Sequence, residues 1–183
     1  MKKFLIFLGI LLLFCLAENE ASAQFQLIKD ATIVVSKNWK GLSEMDKLNV
    51  ELRNGGCFDG DITSKNYSRF SSQVNPGDLL IIKFFSISDV SKTSDLIDKI
   101  KEENGILLGG VGLPLLYQIK DILPEEKWMI SIDKKDSLFN NGGDFRIPAL
   151  KKYNDGTYCS ATLSFENTPW NSQKYILVCF IKK

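Results

Sequence analysis

Three aspartates, Asp89, Asp133 and Asp136, follow apolar runs that read as strands. Their chemistry depends on whether those runs lie side by side. Parallel strands of an open α/β sheet bring their carboxyl ends to one edge, where ligands bind. On that arrangement the edge carries Ser86, Ser88 and Asp89, then Gly110 and Gly112, then Asp133 and Asp136. Three carboxylates there would hold a hard cation such as Ca²⁺ or Mg²⁺ through oxygen. Two would act as acid and base on a glycosidic bond. The plainer alternative is a set of polar loop residues. Asp59 and Asp61 in "CFDGDI" lack the loop spacing of an EF-hand and read as a turn.

The stretch "GILLGGVGLPLLYQIKD" poses a second question. Gly110-Val111-Gly112-Leu113-Pro114-Leu115 supplies two glycines of a dinucleotide fingerprint, with Leu115 in place of the third. No Gly-Lys-Ser/Thr follows, so the turn is not a P-loop. Backbone N–H groups at a strand–turn–helix junction can hold an anion. Glycines also let a helix and a strand approach closely with no ligand present. The stretch reads as a packing turn, with Gly112 serving close approach or a positive φ.

The chain has no histidine. That removes Ser-His-Asp and Cys-His nucleophile pairs and every His-containing zinc site. Arginine, the preferred fork for carboxylates and phosphates, occurs only at positions 53, 69 and 146. The formal net charge of +1 gives no electrostatic case for nucleic acid or an anionic membrane.

The amino terminus has the form of a secretory signal. Lys2 and Lys3 precede an apolar run from Phe4 to Leu16, and Ala21-Ser22-Ala23 fits a signal-peptidase site. The run falls short of the roughly 20 residues of a membrane span. Residues 1–23 are expected to be removed, leaving residues 24–183 as one globular domain without a stable membrane anchor, in the periplasm or outside the cell. Cys57, Cys159 and Cys179 then remain, and an oxidising compartment permits one pair. Cys159 and Cys179 lie in consecutive strand-like runs, so that pair is favoured over either pairing with Cys57; three buried thiols are the further alternative.

The elements that must position these groups read as follows. "ATIVVS" is a short strand, and "LSEMDKLNVEL" carries helical spacing that passes into strand alternation. Asn75-Pro76-Gly77-Asp78 suits a type II turn before the strand Leu79–Phe85. "TSDLIDKIKEENG" is a helix with Gly105 at its carboxyl cap, Ile106–Leu108 a short buried strand, Pro114–Leu123 a helix, and Lys127–Asp133 a strand. Strand, helix, strand, helix, strand in sequence predicts parallel pairing with right-handed crossovers. Asn140–Asp144 reads as a loop. Tyr158–Phe165 and "KYILVCFI" read as a carboxyl-terminal antiparallel hairpin. The expected fold class is therefore α/β, a mixed sheet made of that central unit plus the hairpin.

Trp39 in "SKNWKG" and Trp170 in "NTPWNS" stand in polar connections, where a tryptophan either anchors a partner or folds onto the core. With no nucleophile constellation and no cofactor motif, the leading expectation is an exported protein that works by binding a protein partner, such as an immunity, inhibitor or host-facing factor. It assigns no cofactor and no metal. A secreted carboxylate-dependent hydrolase using Asp89, Asp133 and Asp136, with or without Ca²⁺ or Mg²⁺, is the second reading, and a structural envelope protein the third.

Overall fold

The computed structural model describes residues 25–55, 57–88 and 92–183. The expected signal segment, residues 1–23, lies outside them. Among the described residues the chain forms a mixed α/β fold with one seven-stranded sheet and three α-helices. The strands are β1 (Phe25–Val34), β2 (Leu79–Ile87), β3 (Trp128–Ile130), β4 (Phe139–Asn141), β5 (Asp144–Lys152), β6 (Tyr158–Ser164) and β7 (Tyr175–Lys182). The helices are α1 (Ser43–Gly55), α2 (Thr93–Glu102) and α3 (Gly112–Gln118).

The last strand takes the middle of the sheet. β7 lies between β2, antiparallel to it, and β3, parallel to it. Tyr175 to Phe180 are all buried, as a strand apolar on both faces requires. Ile82 is opposite Phe180 and Lys83 opposite Cys179. A β-carbon on Gly112, at the start of α3, would meet Phe180, and one on Gly105, just past α2, would meet Cys179. Since neighbouring strand residues face opposite ways, α3 covers one face of the sheet and α2 the other.

This topology corrects two expectations. The run 158–165 does not pair with 175–182. β6 pairs with β5 through the Asn154-Asp155-Gly156 turn, where Gly156 has φ +83, while β7 crosses to the sheet centre. A half-alternating strand tolerates an edge; an all-apolar one does not. The three predicted strands are not parallel neighbours either. Ile106 makes only an isolated antiparallel bridge to Phe180, and β7, last in sequence, separates β2 from β3. Because β2 is antiparallel and β3 parallel to β7, β2 runs against β3.

Local chemistry explains the smaller differences. α1 stays helical through residues 48–52, with Met45, Leu48 and Leu52 buried and Val50 turned to solvent. Three-dimensional packing of the helical stripe overrides the strand-like alternation. α2 ends in a Schellman motif: Gly105 N–H donates to Ile100 O, and Asn104 N–H to Lys101 O. Asn104, at φ +56, takes the left-handed position expected for Gly105. The expected loop at 140–144 is a tight hairpin joining β4 to β5, with Gly142 and Gly143 at φ +62 and +97.

Candidate functional site

The glycine turn is filled by side chains. Gly109–Val111 forms a turn of 3-10 helix that leads into α3. Gly109, at φ +51, lies against Asp133; a β-carbon on Gly110 would meet the Met45 Cε methyl at 2.4 Å, and one on Gly112 would meet Ser131 Oγ at 2.0 Å. Gly112 itself has φ −67, so close approach alone explains it. All three glycines are buried.

Of the carboxylates on the expected acidic edge, only Asp133 and Asp136 fall among the described residues. β2 and β3 run in opposite directions, so the chain leaves Ser86 and Asp133 toward opposite ends of the sheet, and the two strand ends do not form one edge. Asp89 lies outside the described residues. Asp133 is only 1% exposed. Its carboxylate accepts the backbone N–H of Ser71 at 3.1 Å and that of Lys134 at 2.7 Å. Burial raises its pKa, against the lowering effect of these hydrogen bonds. It ties the 66–74 segment to the sheet. Asp136 is exposed and lines a separate surface cleft. Among the described residues no group of three or more His, Cys, Asp or Glu side chains gathers to hold a metal ion.

The tryptophans are core residues. Trp170 is 3% exposed, donates Nε1–H to Thr93 Oγ1 at 3.1 Å and stands edge-on to Tyr175 at 5.2 Å. Thr93 Oγ–H in turn donates to Phe165 O, so Trp170 fixes the 165–174 connection to the start of α2. Trp39 is 6% exposed and its Nε1 is buried without a partner. Burial of the large apolar rings outweighs their polar sequence surroundings, although Trp39 also lines surface clefts.

The disulfide joins Cys57 to Cys159, and Cys179 is a free, buried thiol. This replaces the expected Cys159–Cys179 pair. β6 and β7 are not neighbours, so the two cysteines never face each other. Cys179 packs under Gly105 on the α2 face, and burial, with Glu103 nearby, pushes its thiol up to about 12. Alkylation of folded protein should therefore label nothing at Cys179, and labelling should appear only as denaturant unfolds the chain. Rapid stoichiometric labelling of native protein would contradict this packing.

The disulfide belongs to a guard over one sheet edge. β5 has β3 and β4 on one side and β6 on the other, so β6 and β1 are the outer strands. Ser160 N–H donates to Cys57 O at 3.3 Å. Thr162 donates from its backbone N–H and its hydroxyl to Asp59 Oδ2 at 2.8 and 2.9 Å. Asp59 N–H returns a bond to Ser160 Oγ at 3.0 Å. The "CFDGD" turn thus satisfies the edge of β6, a known defence against stray pairing.

Among the described residues the opposite edge has no such guard. Val35 donates to Asp78 O and accepts from Gly77 N–H, both at 2.9 Å, which fixes the phase of β1 against β2. By antiparallel alternation, the backbone groups of Asp30, Thr32 and Val34 point outward. Among the described residues nothing pairs with them. The side chains there are exposed and apolar: Val34 is 64% exposed, Leu79 directly opposite it 37%, and Leu27 and Ile28 48% each. A bulge between Leu27 and Lys29 interrupts the strand. The predicted strand starts at Ala31 while β1 starts at Phe25; the apolar–polar–apolar order of Phe25, Gln26 and Leu27 is the local signal for the earlier start.

No protein-family model, curated protein or solved structure matches the chain.

Proposed function

We propose that this is an exported binding protein that receives an extended segment of a protein partner as an added strand on β1. The observation that carries this reading is the contrast between the two sheet edges. β6 is covered by a disulfide-tethered turn; β1 presents outward N–H and C=O groups beside exposed Val34, Leu79 and Leu27. Strand addition draws its affinity from such main-chain groups and its selectivity from alternate side chains. Export is supported by the signal-like amino terminus and by a disulfide, which an oxidising compartment permits. Among the described residues no helix is long and apolar enough to cross a membrane.

The test is affinity capture from the native envelope or culture fluid with wild-type bait and two variants. Thr32→Pro removes an outward N–H and Val34→Lys places a charge on the edge; both should leave melting nearly unchanged, since edge strands tolerate these residues. A partner held by wild type and lost with both variants supports the reading. Capture indifferent to both variants would sink it. Dimerisation lost in Thr32→Pro would give the edge to a second copy of this chain.

The hydrolase reading has less support, because Asp133 is buried and already satisfied by backbone donors.

A further inference from the structure

A second feature, independent of the β1 edge, is a surface cleft of about 390 Å³ between the 66–69 segment and the 136–140 arm. Ligand pockets start at roughly this size. Arg69, Ser68 and Asn66 line one wall, and Asp136, Ser137 and Asn140 the other, with Phe145 also in the lining.

Arg69 is set apart from the other two arginines. Arg53 lies over the Phe58 ring at 4.6 Å, and Arg146 reaches Asp144 at 3.3 Å. Among the described residues Arg69 has no ion pair, hydrogen bond or ring contact, and it is exposed in the cleft. In a chain with three arginines and 20 lysines, the one uncommitted guanidinium fork stands at a concave site.

Both walls are held in place without a ligand. Asn66 Nδ2 donates to Asp61 O at 2.8 Å, and the buried Tyr67 donates its hydroxyl to Arg146 O at 3.0 Å. Ser71 N–H is tied to buried Asp133, so Arg69 stands between two anchored residues. On the other wall Asn140 Oδ1 accepts Gly143 N–H at 2.8 Å across the β4–β5 turn. That bond commits the amide oxygen and leaves the Nδ2 donors for a ligand. Ser71 Oγ and Ser137 Oγ stand 3.4 Å apart, joining the two walls. A site fixed beforehand loses little freedom when it binds.

The donor and acceptor set defines the ligand. A guanidinium pairs a carboxylate in bidentate fashion. Serine hydroxyls, asparagine donors and the Asp136 carboxylate match hydroxyl groups that both donate and accept. The half-buried Phe145 supplies apolar surface for C–H groups. Asp136 in the same lining repels anions, so a dianion such as phosphate is disfavoured more than a monocarboxylate. We infer that this cleft binds an acidic sugar, a hexuronate with one carboxylate on Arg69 and its hydroxyls shared among Ser68, Asp136, Ser137 and Asn140.

The experiment is an amide NMR titration of the mature protein with glucuronate, with glucose and acetate as controls. Saturable shifts confined to residues 66–69 and 136–145 are expected with glucuronate, and binding at least tenfold weaker with either control. Arg69→Ala should weaken glucuronate binding by roughly tenfold or more, as removing a charge-assisted hydrogen bond does. Arg69→Lys should retain part of it. Arg69 is exposed, and an unchanged spectrum elsewhere would show that the variant is folded. No saturable shift, equal binding of glucose, equal binding of acetate, or an Arg69→Ala titration matching wild type would each overturn the proposal.

Discussion

Reducing the Cys57–Cys159 disulfide should lower the unfolding free energy by about 4 kcal/mol. The two cysteines are 102 residues apart, so the bond closes a loop that takes in most of the sheet. Cross-linking so long a loop removes much of the freedom of the unfolded chain, and the effect grows with the logarithm of loop length. The native side adds a second loss. Without the tether, the bonds from Ser160 N–H to Cys57 O and from Thr162 to Asp59 must hold the guard over β6 alone. Urea unfolding with and without reductant, repeated on the Cys57→Ser/Cys159→Ser double variant, measures the effect. The double variant should match reduced wild type and ignore reductant. It should also aggregate more readily, because a second strand edge becomes available. A midpoint unmoved by reductant would mean that the disulfide does not form in the protein as produced.

Gly112→Ala should destabilise the fold by about 2 kcal/mol. Two effects compete. At φ −67 and ψ −29, Gly112 is in ordinary helical backbone, so alanine would gain up to about 1 kcal/mol of helix propensity. Against this, the new β-carbon would stand 2.0 Å from Ser131 Oγ, 2.9 Å from Ser131 Cβ and 3.0 Å from the Phe180 ring. Neither neighbour has space to retreat: Ser131 and Phe180 are each 1% exposed, one just beyond β3 and the other in the central strand. Overpacking of a rigid core costs roughly 1–3 kcal/mol and wins here. A cycle with Ser131→Gly isolates the contact. That change removes two of the three clashing atoms, so the double variant should lose less stability than the two single losses added together. Strict additivity would refute the packing account. Unchanged melting of Gly112→Ala combined with lost binding of an anionic ligand would return the turn to the status of a site.

Much of the molecule was legible in the chain. Period and turn chemistry located the strands near 31, 79, 128, 158 and 175, and the helices near 43, 93 and 114, because those signals are local. The packing role of Gly112 was legible too, from the missing phosphate-binding lysine beside it. Pairing was not. The run "YILVCF" requires cover on both faces but does not say which strands supply it, and β7 found β2 and β3 instead of β6. That one placement reversed β2 against β3 and separated Cys179 from Cys159. Trp39 and Trp170 read as loop residues, since burial depends on what folds over them. Arg69 was visible as one of three arginines, but only its anchored neighbours and the opposite wall made a cleft around it. Sequence by itself determined the local elements, through backbone preference and hydrophobic period. The tertiary structure alone decided partners, edges and exposure, because those follow from contacts between segments far apart in the chain.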